Sequence, residues 1–122
     1  MKPTIKKLWV NALRSGKYKQ GRGSLCKTTT EKGKTVTEYC CLGVLGDVAV
    51  DAYWEKNPTV PLIGGKQVTE YGLIDEVNTG FLPNSVEKQL GLTRSRTDKL
   101  VELNDDSEFS FDDIADYIEK HL

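Results

Sequence analysis

Cys41-Leu-Gly-Val-Leu-Gly-Asp-Val-Ala-Val-Asp-Ala-Tyr-Trp54 is the stretch around which the rest of the chain has to be arranged. Its apolar run is too long for an ordinary strand. Leu42, Leu45, Val48, Ala49, Ala52 and Tyr53 fall on one side at helical spacing. Val44 and Val50 carry the apolar surface most of the way round, which predicts a central, buried helix. Gly43 and Gly46 would each cost roughly 1 kcal/mol in that helix relative to alanine. A neighbour pressed against their face would offset the cost.

Before this segment, residues 24–40 read as a β-hairpin. Ser24–Thr30 and Thr35–Cys40 are rich in Thr, Val and Tyr, and Glu31-Lys-Gly-Lys34 supplies a turn with Gly33 free to take a positive φ. Its arms are thinly apolar, so one face is wet or meets another subunit. Further upstream, Ile5, Leu8, Trp9, Ala12 and Leu13 make one apolar stripe of a helix over residues 4–15, started by Pro3-Thr4 and stopped by Gly16. Downstream, Val60–Ile63 and Gln67–Tyr71 flank Gly64-Gly65 as a second hairpin. Asn84-x-x-Glu87 resembles a capping box closed by Gly91, and Ser95-x-x-Asp98 opens another helix with Leu100, Val101 and Leu103 apolar. Ser110 with Asp113 caps a last helix whose core face is Phe111, Ile114, Ala115, Ile118 and Leu122, with Phe109 stapled to Ile114. The expected fold is α+β: one compact domain over 1–122, a small antiparallel sheet of hairpins, and four or five helices. Trp9, Leu13, Leu42, Leu45, Ile114 and Ile118 are its predicted core.

The chain has 122 residues and a net charge of -1, with 38% hydrophobic residues. That near-neutral total hides a dipolar chain. The first 36 residues carry ten Lys and Arg against Glu31 alone, and the last 25 carry nine acids against Lys99 and Lys120. A basic front end attracts anions. Within it, Arg14-Ser-Gly-Lys-Tyr-Lys-Gln-Gly-Arg-Gly23 interleaves cationic, aromatic and amide side chains with glycines. Arg14 and Arg22 could fork onto phosphate, Tyr18 could stack on a base, and Gln20 could hydrogen-bond a base or ribose, with Lys17 beside them. The spacing is neither a P-loop nor a dinucleotide-binding fingerprint. A solvated basic face is the plainer explanation of the same residues.

Three cysteines are an odd number for a disulfide framework and have no zinc-ligand spacing around them. They read as reduced, mostly buried thiols of a cytosolic protein. No apolar run of 18 residues and no signal-peptide core is present, so neither a membrane span nor export is expected. The enzyme alternative is a thiol hydrolase: Cys40 or Cys41 at a helix N-terminus, where the dipole lowers a thiol pKa, Gln20 as oxyanion donor and His121 as base. His121 is the only histidine and the penultimate residue, a poor place for a rigid base. The carboxylates Asp105, Asp106, Glu108, Asp112 and Asp113 complement a helix start and lack the calcium-loop pattern. Neither a metal nor another cofactor is expected.

Five blocks, in order, resemble a family of small proteins encoded by bacteriophages and prophages. They are Trp9-Val-Asn-Ala-Leu-Arg-Ser-Gly-Lys-Tyr-Lys-Gln20, Tyr39-Cys-Cys-Leu-Gly-Val-Leu45, Leu82-Pro83, Leu103-Asn-Asp105 and Phe111-x-x-Ile-Ala-Asp-Tyr-Ile-Glu119. The resemblance covers nearly the full length. Gly46 departs from it, since relatives often carry a further Cys there; this argues against a role needing three clustered thiols. The resemblance implies a phage-type accessory protein in the host cytoplasm that acts by binding, in many such cases against host defence. The expected function is non-enzymatic sequestration of a nucleotide-derived anion by Arg14, Lys17, Tyr18, Gln20 and Arg22, in a homo-oligomer. Two alternatives stand beside it. One is a protein–protein inhibitor that docks its charged faces onto a host factor. The other is a nucleic-acid-binding protein, which the acidic C-terminal third and a pI near 5.8 disfavour.

Overall fold

The computed structural model describes residues 1–49, 54–56, 60–61, 67–73, 82–106 and 108–122. In chain order the elements are α1 (Pro3–Arg14), β1 (Cys26–Glu31), β2 (Lys34–Tyr39), α2 (Cys41–Ala49), β3 (Trp54–Lys56), β4 (Val60–Pro61), β5 (Gln67–Leu73), α3 (Asn84–Leu90), α4 (Arg94–Asp105) and α5 (Phe111–His121). The fold is α+β, as the sequence patterning implies.

The helix that starts at Cys41 is central. It packs against α1, α4 and β2, and Cys41 through Gly46 are all buried. Gly43 shows why glycine stands there: a Cβ at that position would lie 1.8 Å from the carbonyl oxygen of Leu25. No rotamer relieves a clash with a main-chain carbonyl, so the chain before β1 approaches α2 only because Gly43 has no side chain. The helix is described to Ala49, and Trp54 belongs to β3 rather than to the helix. Val50 to Tyr53 lie outside the described residues.

The predicted core residues Trp9, Leu13, Leu42, Leu45, Ile114 and Ile118 are buried together, joined by Leu25, Leu90, Leu100 and others. The Trp9 indole N–H reaches the Cys41 carbonyl at 2.9 Å, so its one polar atom is satisfied inside the core.

The strands form one antiparallel sheet in the order β2-β1-β5-β3, with β4 also pairing β5. The first hairpin closes on Glu31 and Lys34, with Lys32 at φ 52° and Gly33 at φ 79°. Two successive positive φ values match the twist of the flanking strands. β4 and β5 pair as the second hairpin requires, with Val60 opposite Val68; the Gly64-Gly65 turn lies outside the described residues. The long-range partner of β1 is β5, so the two hairpins are not separate ribbons.

Two helix starts need correction. Asn84 is the first residue of α3 and makes no capping bond; Pro83 holds the cap position, while Gly91 ends the helix at φ 74°. Glu87 is buried and committed elsewhere. It accepts from the Thr97 hydroxyl at 2.8 Å and pairs with Arg94 at 2.8 Å, and Arg94 also donates to Asn84. Similarly, α4 is capped by Thr93, whose hydroxyl accepts from the Arg96 N–H, and not by Ser95. The Ser110–Asp113 capping box of α5 forms as expected.

Candidate functional site

The two charge blocks of the sequence meet in the fold. α1 packs along α5, and Arg14 forks onto Glu119 at 2.7 Å and Asp116 at 2.5 Å. Lys6 donates to the Glu119 carbonyl at 3.1 Å, and the Gly23 N–H donates to Asp105 at 3.1 Å. The Arg14 hydrogen bonds hold the Glu119 carboxyl below its ordinary range, and both carboxylates keep the guanidinium firmly protonated. Basic residues predicted to draw in an anion are thus neutralised in part by the acidic end of the same chain.

Of the five residues singled out in the loop, Arg14, Tyr18 and Gln20 line one cleft of about 240 Å³ together with Leu13, Phe111 and Asp112. Lys17 and Arg22 are not part of its lining. Each of the three gathered there has an internal partner. The Tyr18 hydroxyl donates to Asp47 at 2.5 Å and its ring meets Tyr39 edge-on at 5.0 Å. Burial and the Asp47 carboxylate push the Tyr18 phenol up to about 12. The Gln20 amide donates to the Phe109 carbonyl at 3.0 Å and to the Asn104 side-chain oxygen at 3.3 Å. Arg22 accepts at its carbonyl from the Lys27 ammonium at 3.0 Å, and Lys17 donates its backbone N–H to the Ser15 hydroxyl.

Asn104 is the residue that sequence reasoning passed over. Fully buried, it accepts the Cys41 N–H at 3.0 Å and donates to the Gly21 carbonyl at 2.9 Å. One side chain therefore caps the first turn of α2 and ties the 19–23 loop to α4. The available signal was a lone amide inside the Leu103-Asn-Asp105 block, at a helix position that faces the core.

Cys40 and Cys41 sit at the N-terminus of α2, where N–H groups favour a thiolate. Desolvation is the larger effect. It pushes the Cys40 thiol up to about 12 and Cys41 well above its ordinary value, although the Gly43 N–H donates to the Cys40 sulfur at 3.4 Å. This reverses the lowered pKa that the thiol-hydrolase alternative needs. Cys26 is also free and buried, and burial raises it to about 11. His121 stacks on Tyr117 with ring centres 4.5 Å apart. Among the described residues, no group of three or more His, Cys, Asp or Glu could hold a metal ion, and no helix is long and apolar enough to cross a membrane.

A wider concavity of about 640 Å³ lies on the outer face of the first hairpin. Lys19, Lys32 and Lys34 rim it with Glu31 and Glu38, over Thr29 and Val36. Val36 is one of two large hydrophobic residues that stand exposed among the described residues; the other is Leu8 on α1.

The chain belongs to the family described as Domain of unknown function (DUF8296), which it matches over residues 1–122. No curated protein and no solved structure matches it.

Proposed function

We propose that this chain is a non-enzymatic, phage-type binding protein of the host cytoplasm that acts against host defence by docking onto a host protein through the outer face of the β1–β2 hairpin. The observation that carries this reading is how the charged and polar groups are committed. Arg14, Tyr18 and Gln20 bond to Glu119 and Asp116, to Asp47, and to Phe109 and Asn104. Their cleft of about 240 Å³ also carries Asp112, which repels an anion, and it is smaller than the pockets that enclose nucleotide-sized ligands. The hairpin face offers a broader surface. Three lysines and two glutamates surround an exposed valine there, an arrangement that suits a protein surface of complementary mixed charge with an apolar centre.

The test uses tagged protein recovered from a bacterial host together with whatever it retains. Wild type should hold one host polypeptide at fixed stoichiometry, and Lys19→Glu combined with Lys32→Glu should release it. Denaturing the complex should free no nucleotide by mass spectrometry. A nucleotide that is freed from wild type, and lost in Tyr18→Ala, overturns the docking reading in favour of sequestration.

A further inference from the structure

β2 pairs with β1 along its whole length on one side. On its other side the chain itself fills only part of the neighbouring strand position. Lys19 to Gly21 lie there in a parallel bridge of Gln20 to Tyr39. The Tyr39 N–H donates to the Lys19 carbonyl, and the Tyr39 carbonyl accepts from the Gly21 N–H, each at 2.8 Å. Gly21 also closes the edge at Glu38, since a Cβ on it would lie 2.7 Å from the Glu38 Cβ. The chain bends at Tyr18, whose hydroxyl is held by Asp47 on α2. Because the main-chain groups of Tyr39 point away from β1, those of Thr37 and Thr35 do so too, by alternation. Lys34 through Thr37 are exposed. Among the described residues this strand position is therefore filled at one end and open along Lys34 to Thr37.

We infer that an extended segment of the host partner completes this strand position, pairing antiparallel with Lys34 to Thr37. The inference deepens the docking reading and rests on it for the origin of the segment. Antiparallel pairing is the more stable of the two directions per residue. The segment exchanges main-chain hydrogen bonds with Thr35 and Thr37. It starts level with Thr37, because Lys19 to Gly21 hold the positions beyond. Directly opposed residues share a face of the sheet, so two of its side chains join the outer face of the hairpin. One lies against Val36, which is 38% exposed, at a non-hydrogen-bonded position where side chains approach most closely, and it is apolar. The other lies opposite Lys34, which rims the outer concavity together with Lys32, and it is acidic. In an antiparallel strand the residue opposite Val36 comes two positions before the residue opposite Lys34. The partner's signature is therefore an apolar residue followed two positions later by Asp or Glu. Main-chain bonds supply the affinity, and these two side chains supply the selectivity.

A displayed library of random segments, each about eight residues long, selected against the purified chain tests the pairing. The library contains no host protein, so its outcome is separate from whether a host polypeptide is retained. Enriched segments should carry the apolar residue two positions before the acid. A synthetic peptide of the most enriched segment should bind with a Kd on the order of 100 µM, read by fluorescence anisotropy. Thr35→Pro removes one outward N–H without touching the bonds to β1, and it should weaken that peptide by about tenfold. Thr35→Val keeps the N–H and should change binding by less than about twofold. Selection against Lys34→Glu should replace the acid by Lys or Arg. Circular dichroism confirms the folding of each variant. A library without enrichment overturns the inference, as does enrichment of the reverse order, acid before apolar residue. So does binding that neither Thr35→Pro nor Lys34→Glu alters.

Discussion

Cys40 shows two opposing influences on one residue. The α2 N-terminus favours its thiolate through nearby N–H groups, and burial in an apolar core disfavours it; burial is the larger effect. A thiol raised to about 12 by its surroundings is almost wholly protonated at neutral pH. Because the shift is upward, it stabilises the folded chain at neutral pH, and that contribution is lost as pH rises from the ordinary thiol range toward 12. Cys26 and Cys41 shift the same way. The expected outcome with iodoacetamide at pH 8, read by intact mass, is no rapid labelling of the native protein and addition to all three thiols in urea. Fast, stoichiometric labelling of Cys40 or Cys41 in the native state would restore the nucleophile reading. The sequence placed these thiols correctly at a strand-to-helix joint. It could not weigh desolvation against the dipole, because the residues that bury them, such as Leu100 and Trp9, come from distant parts of the chain.

At the scale of elements, the legible features were those with a local cause. The α5 capping box, the αL ending of α3 at Gly91 and the tight turn at Gly33 each follow from residues within four positions of one another. The misplaced starts of α3 and α4 had a tertiary cause. Glu87 has the spacing of a cap but is drawn into the α3–α4 contact, where Thr97 and Arg94 satisfy its carboxylate. A cap motif in sequence cannot show that its acid is wanted elsewhere. Two substitutions at the start of α4 separate the readings. Thr93→Ala should lower unfolding stability by about 1 kcal/mol, whereas Ser95→Ala should leave it within about 0.5 kcal/mol. Urea denaturation measures both, and the reverse ranking would return the cap to Ser95.

For the whole molecule, the separation of charge along the chain is a folding feature before it is a binding one. Ten basic residues near one end and nine acids near the other looked like a cationic lure for anions. The packing of α1 on α5 instead sets Arg14 on Asp116 and Glu119. The loop that follows is fastened by Gln20 and Asn104 to α4 and to the residue before the α5 cap. Composition alone shows how much charge each end carries, but not which groups come within 4 Å of each other. The segment Arg14 to Gly23 stands out in the sequence for its density of polar groups, while the contacts those groups make depend on where Asn104, Phe109, Asp116 and Glu119 fold.

The central claim is that the loop residues first read as a ligand site act in holding the fold together, which leaves the hairpin face for a partner. Equilibrium unfolding of Gln20→Ala and Asn104→Ala in urea tests it most directly. Losing the Asn104 amide strands the buried Cys41 N–H and Gly21 carbonyl, so its midpoint should fall by the equivalent of about 3 kcal/mol, and Gln20→Ala should cost about 1 kcal/mol. Residues kept for a ligand commonly relieve stability when removed. Midpoints that stay at the wild-type value, or rise, in both variants would contradict the account.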